Sequence, residues 1–432
     1  MNKECVWLAL AYSVGLGLCP VRAEEAHPLT LKEAQEITLR NHPRISEAEL
    51  EALASQQVVT QVRAGFLPNV MLNATAVDAF ESNTRLAAGG LNNPSVFDRE
   101  AEGLTVTQML TDFGRTAHLL NSSRLYSRAQ NANAEATREE ILLQVNVAFF
   151  SALKAQSVLD VARQTLDTRK LLLDQVTALA TNKLRSELDL SFSQVAFEEG
   201  NLLVAKAQND LEEAFAVLST LLGDREKRVY RLIEEPLSIT ATVDTSPLID
   251  TALSKRPDLA RLRLERDAAV QYARAQRALS YPTISAFGSG GFIPVRDTAH
   301  FEDRYAAAGV NLSLPVFDGG LNSAKRSEAE LRAQAAAEKL RDAENTAIHE
   351  VRAVGLNVNY AWERLDLTRK LFDNASYAFE LAEARYKLGS SSIVELSQAQ
   401  LSKTEAEIAH TSAKYEYEIQ RAMLNFEIGA PQ

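Results

Sequence analysis

Hydrophobic positions recur along this chain with two different periods, and the switch between them marks out its elements. From Arg115 to Glu199 there is neither Gly nor Pro, and Ile141, Val145, Ala148, Ala152, Ala155, Leu159, Ala162 and Leu166 follow one another at alternating steps of four and three. That spacing is a heptad seam, the mark of a long helix packed along other helices. Ala347, Val351, Val354, Val358, Ala361, Leu365, Thr368 and Phe372 repeat it farther along the chain. Half of the first seam and two positions of the second are Ala, which leaves room for several close neighbours. A helix from 115 to about 180 would run about 100 Å at the usual rise per residue. Returning helices, about 188–222 and 394–428, are half as long, and short helices at 44–65 and 258–279 can supply the missing length.

The second period is two. Val310, Leu312 and Leu314 alternate with Asn311 and Ser313, which predicts a strand with one apolar and one polar face. Four segments qualify as strands: 69–80, 103–110, 283–293 and 304–314. The polar, turn-rich stretches 81–100 and 294–303 are expected to be loops. An ordinary soluble sheet and a membrane-spanning barrel wall share this pattern, and each segment has about the length a spanning strand needs.

These elements occur twice. Pro43 and Pro68 return 214 residues later as Pro257 and Pro282, while Asp112, Gly114, Ser186, Gln194 and Gly223 return 206 residues later as Asp318, Gly320, Ser392, Gln400 and Gly429. The change of offset confines the length difference to the strand, loop, strand region, where it is cheapest. The predicted organisation is a signal segment at 1–23, a first repeat at 24–223, a linker or equatorial segment at 224–246, a second repeat at 247–429 and a short end at 430–432. Each repeat is two strands followed by a long coiled-coil hairpin, so the fold class is mainly α with a β-barrel contribution. Four strands are too few to close even the smallest membrane barrel, which has about eight, so a barrel requires an oligomer.

Composition narrows the function. Lys3, the apolar run Val6 to Leu18 and the small-residue site Val21-Arg22-Ala23 read as an export signal cleaved before Glu24; lipidation at Cys19 is the weaker alternative, because Leu18 is bulky. Cys5 and Cys19 are the only cysteines, so a chain starting at Glu24 has no thiol for a disulfide or a metal. Outside the signal, no apolar stretch approaches the roughly 20 residues of a spanning helix. The net charge of -11 offers no basic face for nucleic acid.

Candidate chemistry is sparse. The six His residues have no spacing suited to a shared metal, and no Ser/His/Asp or Cys/His set can be assembled. Asp112-Phe113-Gly114 spells a kinase triplet, but its repeat partner is Asp318-Gly319-Gly320, which favours a strand-to-helix turn. Gly288-Ser289-Gly290-Gly291 precedes no helix and is strand rather than phosphate loop. The chain is expected to be no enzyme and to need no cofactor. Ser186-Glu187-Leu188-Asp189 and Ser392-Ile393-Val394-Glu395 each fit a capping box at a helix start.

Several of these residues resemble the TolC-like outer-membrane efflux proteins. The resemblance rests on the turns Asn41-His42-Pro43 and Lys255-Arg256-Pro257, the strand leads Phe66-Leu67-Pro68 and Ser280-Tyr281-Pro282, and the strand exits Leu110 to Arg115 and Pro315 to Gly320. It also rests on the second tip, Ala384 to Gly389 running on to Ile393-Val394-Glu395-Leu396 and Ala399-Gln400. It implies a homotrimer with a twelve-stranded barrel in the lipid of the outer membrane and a twelve-helix periplasmic tunnel. The implied partners are a periplasmic adaptor and an inner-membrane pump of an efflux or type I secretion system. It further implies that Glu395 belongs to an acidic ring at the constricted periplasmic mouth, and that Asp189 and Tyr386 help hold that mouth shut. Gln398 stands where well-known members carry a second ring acid, and Ser391 where they carry a basic lock residue. The tips Asn182, Lys183, Leu184, Arg185 and Ser186, and Leu388, Gly389, Ser390, Ser391 and Ser392, would meet the adaptor. The competing reading is a periplasmic coiled-coil adaptor or spacer that never enters the membrane; it normally has one hairpin, whereas this chain has two.

Overall fold

The computed structural model describes residues 27–77, 87–88, 91–92, 99–223, 230–234, 243–292 and 304–430. The export signal, Cys19 and the ends of two expected strands, at 78–80 and 293, lie outside the described residues, as does the expected loop 294–303.

Two helices of 67 residues dominate, α3 (Arg115–Thr181) and α7 (Leu321–Lys387), and each returns as a shorter helix, α4 (Glu187–Leu222) or α8 (Ile393–Glu427). The seam positions Ile141 to Ala162 are all buried, as are Ala347, Val351, Val358 and Ala361. The helix α2 (Pro43–Ala64) packs along α3, as α4 does, and α6 (Pro257–Arg277) lies against both α3 and α7. Thus the short helices cover what the returning helices leave bare. One stretch of α3 is long and apolar enough to cross a membrane, contrary to expectation, but half of that window is buried inside the molecule. Its apolar side chains serve the seam.

Each long helix starts from a strand through the same turn. Asp112 accepts hydrogen bonds from the backbone N–H of Gly114 at 3.2 Å and of Thr116 at 2.7 Å, and Asp318 does the same for Gly320 at 3.0 Å and Asn322 at 3.1 Å. Gly114 and Gly320 have φ of 95° and 86°, a region that costs little only for Gly. The aspartates are therefore caps.

Four strands, β2 (Asn69–Val77), β5 (Arg99–Thr111), β7 (Thr283–Phe292) and β8 (Arg304–Ser313), form one antiparallel sheet in the order β2-β5-β7-β8. The β5–β7 pairing joins the two halves of the chain. Register sets Val70 opposite Val106, Leu72 opposite Leu104 and Ile284 opposite Leu312, all on one face. Asn69, Asn73, Thr105, Thr107, Ser285, Ser289, Asn311 and Ser313 occupy the other, where Asn73 donates to Thr105 at 3.4 Å. On this polar face the Tyr305 hydroxyl fills the space over Gly103; a Cβ there would come within 2.2 Å of it. The stretch 81–100 is not all loop: β3 (Ala87–Ala88) and β4 (Leu91–Asn92) pair within it, and β5 already begins at Arg99. A two-residue hairpin strand has no period to read.

The sequence reading named an equatorial segment at 224–246 but none of the elements of the collar around the helices. A short parallel pair, β1 (His27–Leu29) with β6 (Tyr230–Leu232), and helix α1 (Leu31–Asn41) pack Leu29, Ala34, Tyr230 and Leu232 on Val145, Phe149 and Leu222. Thr30 and Glu33 form a capping box at the start of α1, a signal present in the sequence. Helix α5 (Ser246–Lys255) is the counterpart in the second half, packing Leu248 on the Val358, Tyr417 and Leu424 cluster. At the α5–α6 corner the buried Arg256 grips Asp258 at 2.9 Å, Glu350 of α7 at 2.8 Å and Glu427 of α8 at 2.5 Å. Three carboxylates thus share one guanidinium. Burial, only partly offset by Arg256 and reinforced by Glu350, pushes the Glu427 carboxyl up to about 7.

Candidate functional site

The two hairpin tips close by the same backbone device. After α3, Leu184 N–H donates to Leu179 O at 2.9 Å and Lys183 N–H to Ala180 O at 2.9 Å; after α7, Ser390 N–H donates to Arg385 O at 2.8 Å and Gly389 N–H to Tyr386 O at 3.0 Å. This is the Schellman pattern, which needs a left-handed residue after the helix. Gly389 supplies it at φ 72°, and Lys183 does so at φ 59° despite its side chain. The resulting turns present Leu184 at 70 % and Leu388 at 82 % exposure, with Asn182, Lys183, Ser186, Ser390 and Ser392 exposed beside them.

The returning helices start differently. In the first tip Ser186 Oγ accepts from Asp189 N–H at 3.1 Å, and Asp189 Oδ2 accepts from Ser186 N–H at 3.4 Å, a complete capping box. In the second, Ser392 Oγ accepts from Glu395 N–H at 3.2 Å, but Glu395 Oε1 accepts from Arg385 Nη1 at 2.9 Å. The expected second box is therefore only half formed. A guanidinium ten residues back across the turn is a stronger donor than a backbone amide, and it draws the longer Glu side chain away. Gln398 is exposed and Ser391 half-buried, its hydroxyl donating to Ser392 O at 3.4 Å.

Beneath the tips, Val176, Ala382, Tyr386, Ile393 and Leu396 form a core that joins the end of α3 to α7 and α8. Arg185 enters this core from the first tip. Its guanidinium lies 4.4 Å from the Tyr386 ring centre and donates to Tyr386 O at 3.2 Å. Burial raises the Tyr386 phenol above its ordinary value, Arg185 opposes the shift and Asp189 adds to it. Of the residues picked out in the sequence, the structure thus brings Arg185 and Tyr386 into contact, with Asp189 near enough to be felt. Glu395 sits apart from them on the exposed side. Sequence reasoning missed Arg385 as the partner of Glu395 and missed Arg185 as the link between hairpins. The first signal lay in the turn, which places positions 385 and 395 side by side; a contact across 201 residues left none.

Nothing at the tips assembles a nucleophile with a base. What the arrangement can do is hold two helical hairpins together through a few polar contacts around a small apolar core.

Comparison with known proteins agrees with this architecture. The family model described as Outer membrane efflux protein matches residues 35–224 and 248–430. The outer membrane protein TolC of Salmonella enteritidis is 22 % identical over 90 % of this chain and 79 % of its own. The alkaline protease secretion protein AprF of Pseudomonas aeruginosa is 23 % identical over 99 % of this chain and 89 % of its own. Among solved structures, the Campylobacter jejuni CmeC outer membrane channel superposes with a TM-score of 0.81, at 16 % identity, over 99 % of this chain and 94 % of that one. With both halves matched by the family model, the chain belongs to the outer membrane efflux protein family and is an exit duct of the outer membrane.

Proposed function

We propose that three copies of this chain close one twelve-stranded barrel through the outer membrane, continue beneath it as a periplasmic helical tunnel, and open or shut at the hairpin tips. The observation that carries this reading is the sheet. Its even-numbered positions expose Val70, Leu72, Leu104, Val310 and Leu312 at 52–74 %, whereas its odd-numbered positions are mostly polar. A face of that kind suits lipid outside and water inside. The edges of β2 and β8 have no neighbour among the described residues, and lipid does not tolerate an open edge. In a four-stranded antiparallel sheet the two edges run in opposite directions, so β8 of one copy can pair antiparallel with β2 of the next, and a ring closes without leftovers.

The duct supplies no energy. An inner-membrane pump, reached through a periplasmic adaptor, drives transport in efflux or in secretion of the kind the AprF name describes. The exposed turns at Leu184 and Leu388 are the surfaces the adaptor would meet, Glu395 lines the mouth, and Arg185 takes over the basic fastening role that Ser391 cannot fill. Cell fractionation with mass measurement of the detergent-extracted species tests the assembly. A species of three chains in the outer-membrane fraction supports it; a periplasmic monomer would favour the adaptor reading.

A further inference from the structure

Two aromatic rings interrupt the polar face of the sheet. Among the described strand residues, Phe287 and Tyr305 are the aromatic side chains at its odd-numbered positions, where the neighbours are mostly small or polar. A side chain in a strand normally stands away from the sheet. These two lie along it. Tyr305 of β8 faces Gly291 of β7, which faces Gly103 of β5, and the Tyr305 hydroxyl reaches across Gly291 into the space that a Cβ would need at Gly103. At Gly291 itself a Cβ would collide with the backbone of Glu102 and Gly103. Phe287 faces Gly309 of β8, and its Cε1 and Cζ would lie 2.8 Å from a Cβ there. The glycines are covered accordingly: Gly103 is buried, and Gly309 alone along β8 is half-buried. Glycine inside a strand weakens it, so three of them under two rings call for a use.

We infer that Gly103, Gly291 and Gly309 seat Tyr305 and Phe287 flat against the wall of the duct, and that these seats set the largest cargo its outer half will pass. Tyr305 lies next to Arg304, at the end of the sheet farthest from the long helices, and Phe287 pairs four residues deeper, opposite Gly309. A barrel of about eight strands is filled by its own side chains and one of about sixteen leaves an open channel, so at twelve the posture of a ring decides how much bore remains. Freed from its seat, Tyr305 would stand into the lumen, and three copies would do so at one height. The inference about bore rests on the three-copy barrel proposed above; the seating is a property of one chain. The competing role, a ring that merely shields a strand glycine and steadies the sheet, leaves the size limit where it is.

The test is a reporter cysteine, Ser285→Cys, on the same face and two residues deeper than Phe287. Intact cells carrying the full chain are treated with N-ethylmaleimide or with maleimides bearing polyethylene glycol tails of increasing length, and labelling is read as a gel shift against the chain without the reporter. Valine suits a strand, so Gly103→Val and Gly309→Val should assemble and leave the N-ethylmaleimide rate unchanged. Each should slow the long-tailed reagents about threefold or more, because the displaced ring narrows the bore. Adding Tyr305→Ala to the first, or Phe287→Ala to the second, should restore the parent rate. If one valine also slows N-ethylmaleimide, the other glycine and its ring decide the outcome. Long-tailed reagents that react no more slowly in the valine variants, or that stay slow once the ring is removed, would overturn the seats and leave the barrel standing. Long-tailed reagents that keep pace with N-ethylmaleimide in every protein would place residue 285 in open solvent and overturn both.

Discussion

Arg185 and Tyr386, one in the first hairpin tip and the other near the end of the second long helix, meet with guanidinium over ring at 4.4 Å. Together with the hydrogen bond to the Tyr386 carbonyl, this contact fastens the two hairpins at their tips, while Thr165 with Thr404 and Ser157 with Tyr415 link them farther along. A partly desolvated cation–π contact plus one hydrogen bond is worth roughly 1–3 kcal/mol. Arg185→Ala should therefore raise the open probability of single channels in planar bilayers about tenfold, and Arg185→Lys, which keeps charge but loses the planar fork, should fall between. An unchanged open probability in Arg185→Ala would remove Arg185 from the gate.

Glu395 and Arg385 make a second, separable prediction. Their ion pair is half exposed, at 2.9 Å, and an exposed pair of this kind adds little stability. Its effect would be on the field at the mouth: Arg385 cancels part of the carboxylate charge. Glu395→Gln should weaken cation preference, and Arg385→Ala should strengthen it. Because Glu395 does not return a hydrogen bond to Ser392, the Gln variant should melt within a few degrees of the parent. Reversal potentials in a salt gradient read the selectivity, and identical values for all three proteins would place Glu395 away from the conduction path.

The long helices, the four main strands and the two aspartate turns were legible because each rests on local chemistry: an uninterrupted heptad, a period of two, a repeated Asp-x-Gly. The collar was harder. Helix α1 has only 11 residues, and its one clear signal, Thr30 with Glu33, is easily passed over. At the tips the sequence placed the turns correctly but not the side chains. Asp189 and Glu395 occupy the same repeat position, yet one caps its helix and the other turns to Arg385. One methylene group and one neighbouring arginine decide that difference.

The two faces of β8 can be tested against each other. Leu312 is 62 % exposed, and Leu312→Arg should cost about 2–4 kcal/mol if that position lies near the bilayer midplane, with loss of assembled trimer on unheated gels. Asn311→Arg, one residue away on the polar face, should assemble normally and change selectivity instead. Equal loss of assembly in both variants would contradict the inside–outside assignment.

The corner at Arg256 predicts how stability varies with pH. Glu427 is raised in the folded protein to about 7, so between about 4.5 and 7 the folded state holds a proton that the unfolded chain has released. Its contribution to stability is complete below that window and is lost as pH rises through it. The melting temperature should fall between pH 5 and 8, and Glu427→Gln should flatten the profile by keeping the neutral form throughout. A wild-type profile that rises over this range would show Glu427 to be ionised and fully paired with Arg256.

The central claim is that this chain assembles by itself into a passive conduit, with no pump, adaptor or nucleotide needed for ions to pass. Adding the purified, detergent-extracted protein to a planar lipid bilayer tests it most directly. The account predicts discrete, cumulative current steps, cation-selective and independent of any energy source. A stable, water-soluble monomer that never inserts and never produces such a step would contradict it.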